Sequence, residues 1–238
     1  MKKNLFLALV AMTVISCSDD SESTNGDVTL KASAFSSTGN SLTAKGSTST
    51  VVITDFDINI GTIKFKKVDS DKIKGTEIVF DNAKLNGPFL LDLFNTNVPL
   101  SQLITTVATP NGTYGGIKLK FQKSTVEGEM LNKTYLIKGT INGKDFAIWS
   151  SKDADLEIHF DDATKEFTVK GNKVSLNVKI ELDSLLAKIA DLANKDLLSD
   201  GDGDGVIEIS TDDDDNNSNI GISIKALLES ASKLDDKD

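Results

Sequence analysis

Asp200-Gly201-Asp202-Gly203-Asp204-Gly205-Val206-Ile207-Glu208 is the stretch of this chain whose residue types and spacing best suit a chemical role. Carboxylates at alternate positions of a tight turn set several hard oxygens on one side, the donor set that calcium takes. A glycine at the sixth position permits the sharp bend, and an apolar residue at the eighth packs the loop onto its neighbour. Asp200, Asp202 and Asp204 match the first, third and fifth positions of an EF-hand loop; Gly205 matches the sixth, Val206 offers its carbonyl and Ile207 fits the eighth. The match stops at the twelfth position, where Thr211 stands in place of a bidentate glutamate. The expectation is an EF-like structural calcium site with Asp200, Asp202, Asp204, Val206, Glu208 and Asp212 as ligands, Asp212 closing the sphere one residue late. Its affinity should fall in the weak range of about 0.1 to 1 mM typical of extracellular modules. Magnesium fits less well, because it prefers few carboxylates and keeps its waters. Asp213 to Asp215 read as a solvated run of like charge.

Other reaction chemistry is sparsely supplied. There is one histidine, His159, and one cysteine, Cys17, so neither a nitrogen–sulfur zinc site nor a nucleophilic triad can be assembled. Strand alternation turns His159 outward beside Glu157. The Gly-x-Gly run is filled with aspartates that repel phosphate. Carboxylate pairs such as Asp55/Asp57 and Asp153/Asp155 fall on wet strand faces or in loops, and nothing marks one pair for glycoside hydrolysis. The reading is therefore not an enzyme, with a carboxylate-based hydrolase as the alternative. All 26 basic residues are lysine, and with a net charge of -10 this argues against nucleic acid, whose recognition leans on guanidinium groups. Of the aromatics, 11 are phenylalanine, so Trp149, Tyr114 and Tyr135 are the only amphipathic rings for a glycan or protein partner.

At the N-terminus, Met1-Lys2-Lys3 precedes the apolar run Leu5 to Ile15 and the small residue Ser16, the plan of a secretory signal peptide over 1–16. The run is shorter than the ~20 apolar residues a spanning helix needs, and no later segment approaches that length. Val14-Ile15-Ser16-Cys17 resembles the lipobox of bacterial lipoproteins, which implies that Cys17 is lipidated, with palmitate-type acyl chains, and anchors the chain in a membrane. The polar stretch 17–27 then serves as an acidic tether. It resembles the segment that sends some Gram-negative lipoproteins to the cell surface, and reads equally as a plain solvated spacer; outer membrane is the expected location, with cell-surface exposure and a periplasm-facing chain as the two alternatives.

These features need a scaffold, and from Val28 onward the dominant signal is alternation of apolar and polar residues, the mark of half-buried strands. Phe56/Ile58/Ile60, Ile117/Leu119/Phe121, Leu156/Ile158/Phe160 and Val174/Leu176/Val178/Ile180/Leu182 each share a face. Asn142-Gly143 predicts a two-residue hairpin turn, and Asp161 to Lys165 a second hairpin loop. Ser37 to Ser49 has almost nothing to bury and reads as a loop. Leu100 to Val107 reads as a short helix ended by Pro110. Asp183 can cap a helix carrying Leu185, Leu186, Ile189, Leu192 and Ala193, and a second helix is expected over roughly 220–234.

Asn86-Gly87-Pro88-Phe89-Leu90-Leu91-Asp92-Leu93, followed about twenty residues later by Pro110-Asn111-Gly112-Thr113-Tyr114, resembles a family of bacterial lipoproteins with a transthyretin-like (prealbumin-like) β-sandwich. The resemblance covers roughly 51–182 and implies a fold and a surface location, with no catalytic residues to carry over. Tyr114 is expected to tie down a turn through its hydroxyl. The fold class is then mainly β: an antiparallel β-sandwich over 28–182 and a C-terminal helix-loop-helix over 183–238 carrying the calcium loop. The expected role is a non-enzymatic binding or structural module, or alternatively an accessory subunit of an envelope uptake or adhesion complex. The acidity is local, since 200–215 holds eight carboxylates and no lysine.

Overall fold

The computed structural model describes residues 23–36, 43–45, 49–68, 84–95, 98–99, 101–159, 166–210, 212 and 215–235. The signal segment, Cys17, Phe160, the 161–165 turn, Thr211, Asp213 and Asp214 lie outside them. In chain order the elements are β1 (Asn25–Phe35), β2 (Thr43–Lys45), β3 (Thr50–Lys67), β4 (Lys84–Asn95), β5 (Val98–Pro99), β6 (Ser101–Pro110) and β7 (Gly112–Phe121). There follow β8 (Tyr135–Ile141), β9 (Lys144–Ser150), β10 (Ala154–His159), β11 (Phe167–Val169) and β12 (Lys173–Glu181). The chain then continues through α1 (Asp183–Asn194), β13 (Val206–Ile209), α2 (Ser218–Ser230) and β14 (Ser232–Asp235).

The protein is mainly β, and its strands form two mixed sheets. One has the order β14-β12-β1-β6; the other has the order β10-β7-β3-β8-β9-β13, with β2, β4, β5 and β11 joined at its sides. Alternation places the core as the sequence predicts: Phe56, Ile58, Ile60, Ile117, Leu119, Leu156, Ile158, Leu176 and Val178 are buried in one hydrophobic cluster that draws on both sheets. Fully burying side chains of this size is worth about 1.5–3 kcal/mol each. Asn142 and Gly143 take φ of 54° and 84° and join β8 to β9 in the expected hairpin.

The 18-residue β3 organises the larger sheet. Its first half pairs with β8 (Val51 to Ile58) and its second half with β7 (Ile60 to Lys67), while β4 runs alongside both halves. Asn59 sits at the fork, 1% exposed. Its N–H donates to the Thr134 carbonyl (2.9 Å), its Nδ2 donates to the Gln122 carbonyl (2.8 Å), and its own carbonyl accepts the Gln122 N–H (3.1 Å). Backbone groups that a regular ladder would leave unpaired at such a fork are thereby satisfied.

Several expectations are corrected. Segment 101–110 is strand β6, not a helix, and pairs antiparallel with β1; the β-branched run Ile104-Thr105-Thr106-Val107 favours extended backbone over the helical spacing of its apolar residues. The sheets are not wholly antiparallel, because β1 and β12 are parallel, as are β13 and β9. Strands β10 and β11 both run antiparallel to β7, so the strands flanking 161–165 do not form a hairpin with each other. Strand β1 begins at Asn25, within the stretch expected as tether, and Thr43–Lys45 of the expected loop pairs with β3. The first helix forms as expected with Leu185, Leu186, Ile189 and Leu192 buried, but Leu182 occupies the cap position, and Asp183, the first helical residue, accepts the Ser36 hydroxyl. The second helix ends at Ser230, and 232–235 adds a strand to β12.

Candidate metal centre

The acidic loop hangs between α1 and β13. After α1 the chain reverses at Asp196, whose φ is 52°, and runs through Ser199 into the aspartates. It leaves as a strand: Val206–Ile209 pairs in parallel with Asp145–Ile148 of β9. The expected helix-loop-helix is therefore not formed. Val-Ile-Glu-Ile alternates β-branched with polar residues, a pattern a sheet edge accepts and a helix gains little from. Gly205 is held at φ of 98°, as a sixth-position bend requires. At Gly201 a Cβ would lie 2.9 Å from the Asp215 backbone, so only glycine allows that approach.

Asp200, Asp202 and Asp204 come together, each offering a carboxylate oxygen within 4.8 Å of the others. Asp200 is the anchor: its Oδ1 accepts the Gly203 N–H (2.9 Å), and its Oδ2 accepts the Gly205 N–H (3.2 Å) and the Lys144 ammonium (2.6 Å). Lys144 holds the Asp200 carboxyl below its ordinary range, and the two backbone donors add to the effect. Asp202 and Asp204 are exposed; each turns an oxygen back onto the backbone N–H two residues on, at Asp204 (3.1 Å) and Val206 (2.8 Å).

The residue that holds the loop in shape is one the sequence reading places in solvent. Asp215 is 1% exposed. Its Oδ1 accepts the N–H groups of Gly201 (2.6 Å) and Asp202 (3.3 Å), and its Oδ2 accepts that of Glu208 (2.6 Å). Its carbonyl accepts the Ser199 hydroxyl (2.6 Å). Asn217 completes the clamp, its Nδ2 donating to the carbonyls of Ser199 (2.9 Å) and Glu208 (2.7 Å). The two ends of the loop are thus fastened to a single buried carboxylate and amide. An alternation pattern at the loop cannot reveal this, and the only cue in the sequence is Asp-Asn-Asn just before a helix.

The remaining predicted ligands lie elsewhere. Val206 opens β13. Glu208 and Asp212 line a hollow of about 340 Å³ with Leu131, Lys133, Trp149 and Ser151. Asp212 accepts the Ser151 hydroxyl and pairs with Lys152 (3.1 Å), and these partners, Ser151 foremost, lower its pKa. Three of the six expected ligands are gathered, then, and two face a separate hollow. Hard oxygens at that separation suit calcium chemically, although the Lys144 ammonium already shares Asp200.

The other candidates are accounted for by their surroundings. Tyr114, 1% exposed, donates its hydroxyl to the Pro110 carbonyl (2.8 Å) and stacks on Phe167, with ring centroids 5.2 Å apart. Tyr135 is buried, so of the three amphipathic rings only Trp149 reaches the surface, and the Lys133 ammonium stands 5.6 Å from its centroid. Asp153 and Asp155 pair with Lys120 (3.0 Å) and Lys118 (2.8 Å). Asp57 is opposite Asp92 on β4; burial, then Asp92 and Asp55, push its carboxyl up to about 6, against a smaller opposing pull from Lys138. Among the described residues no helix is long and apolar enough to cross a membrane. Compared with protein-family models, with curated proteins and with solved structures, the chain matches none.

Proposed function

We propose that the chain is a lipid-anchored module of the bacterial cell envelope, attached to the outer membrane through Cys17, that acts by binding or structural support and not by catalysis. The lipobox-like Val14-Ile15-Ser16-Cys17 supports the anchor, and two sheets feeding one core support a sandwich of the kind the family resemblance implies. The acidic loop is its calcium site, with a structural role. The observation that carries this reading is the grouping of Asp200, Asp202 and Asp204 within 4.8 Å, on a loop already clamped by Asp215 and Asn217. Such a loop loses little entropy on binding the ion, because its backbone is ordered beforehand. Bound calcium would relieve repulsion among the three carboxylates and tie the segment after α1 to β13.

Thermal unfolding in the presence of calcium tests the site. About 10 mM calcium, well above the expected dissociation constant, should raise the melting temperature of the wild type, and Asp202→Asn/Asp204→Asn should abolish the rise. An unchanged wild-type melting temperature would sink the reading. Mass spectrometry of the membrane-purified chain tests the anchor: Cys17 should carry the lipid, and Cys17→Ser should release the protein into the soluble fraction. As an accessory subunit of an uptake or adhesion complex, the module would present the same anchor and loop to a protein partner.

A further inference from the structure

Among the described residues a row of lysines crosses the larger sheet, on the face turned away from the core. Strand β3 presents Thr62 and Lys64 there, alternating with Ile63 and Phe65, which are buried. In register, Lys64 stands opposite Lys84 of β4 on one side and Lys118 of β7 on the other; Thr62 stands opposite Lys120. Three lysines thus occupy adjacent positions across three strands, and like charges directly opposite one another in a sheet repel.

Neighbouring carboxylates offset only part of this charge. On β10 and at the residue before it, Asp155 pairs with Lys118 (2.8 Å), Asp153 with Lys120 (3.0 Å), and Glu157 with Lys66 (2.9 Å). All three acids lie on the far side of β7, and Lys64 and Lys84 have no ion pair among the described residues. The lysines border a hollow of about 380 Å³ with Thr62, Gln122 and Asp155. Space for a ligand, two uncommitted ammonium groups on neighbouring strands, a hydroxyl and a carboxamide converge on one concavity.

We propose that this groove binds a phosphate monoester. Lys64 and Lys84 supply two unmatched positive charges, and a phosphate monoester brings roughly -1.5 to -2 at neutral pH, whereas a carboxylate or a phosphodiester brings only about half as much. Ammonium groups act as point charges without a planar fork, and a tetrahedral anion can meet them from several directions. Thr62 and Gln122 are placed to donate to the remaining phosphate oxygens. Asp155, committed to Lys118, rejects an anion that spreads toward β10 and so limits the site to a single phosphoryl group.

Calorimetric titration of the full chain tests this, with inorganic phosphate as one probe and phosphatidylcholine vesicles containing phosphatidic acid as the other. Saturable binding of either probe is expected, weakened about tenfold or more in Lys64→Gln/Lys84→Gln. Lys170→Gln/Lys173→Gln removes the same charge from two exposed positions flanking the Gly171-Asn172 turn, neither of which lines the groove, and should bind like the wild type. Inorganic phosphate alone binding marks a soluble phosphate source; vesicles alone binding marks a lipid headgroup. The proposal is overturned if neither probe binds, if the groove variant binds as well as the wild type, or if phosphatidylglycerol vesicles, which carry only diesters, bind equally. Among the described residues Lys64 and Lys84 make no ion pair, so the variant should keep the wild-type melting temperature or exceed it, and a folded control is available.

Discussion

The acidic loop and the lysine groove each concentrate one sign of charge, but they contain it by different means. In the loop, repulsion is met mostly from within the segment: backbone N–H groups turn onto Asp200, Asp202 and Asp204, Asp215 accepts three more from the loop's two ends, and from outside Lys144 adds an ion pair to Asp200. In the groove, the charge is met from outside, by carboxylates on and just before β10, and only on one side. A like-charge cluster woven into its own backbone can be built from a few consecutive residues. One spread over a sheet needs partners from other strands and keeps a residue of charge available to a ligand.

The comparison breaks most sharply at Asp215. Asp215→Ala removes the buried carboxylate that three loop N–H groups donate to and should cost about 2 kcal/mol, read from urea unfolding. A loss below about 0.5 kcal/mol would show that the loop is not held from within. Asp57 provides a third case, in which the like charge is neither woven in nor matched. Its carboxyl is raised from the ordinary 3.8 to about 6 in the fold, by burial first. Below 3.8 the group is protonated in both states and costs nothing; as pH rises from there through about 6, the folded state is penalised for ionising it. Asp57→Asn should therefore stabilise the protein at pH 7 by about 1 kcal/mol, a figure already reduced for solvent screening at a partly exposed site, with no gain at pH 3.

Two smaller effects sharpen the contrast. Lys144 occupies one Asp200 oxygen, so Lys144→Gln should tighten calcium binding by about threefold in a titration, even though it removes an ion pair. If affinity falls instead, Lys144 positions the aspartate and does not compete for it. In the groove, Lys64→Gln/Lys84→Gln should raise stability by about 0.5 kcal/mol at low salt, and the gain should vanish at about 1 M salt, where repulsion is screened.

How far the sequence could be read follows from the same distinction. The burial of Phe56, Ile58 and Ile60, the Asn142-Gly143 hairpin, helix α1 and the Asp200/Asp202/Asp204 grouping are local patterns, and they stand where the sequence predicts them. Strand β13 was hidden because an EF-hand template asks for a helix after Ile207, while the free edge of β9 offers a ladder to any β-branched segment that reaches it. Asp215 reads as one of four equivalent aspartates until the loop supplies the N–H donors that select it for burial. The lysine row cannot be read at all without register, since Lys84, Lys64 and Lys118 belong to three strands and meet only through pairing.

The position of β1 also has a mechanical consequence. It is an inner strand, with nine register partners on β12 and nine on β6, and it is the strand that follows directly from the N-terminal segment. A pull along β1 from Asn25 would load both ladders in shear, many hydrogen bonds sharing the force at once, and would not peel an edge strand one bond at a time. If Cys17 is where the chain is moored, flow or a tugging partner would act on the part of the smaller sheet best arranged to resist it.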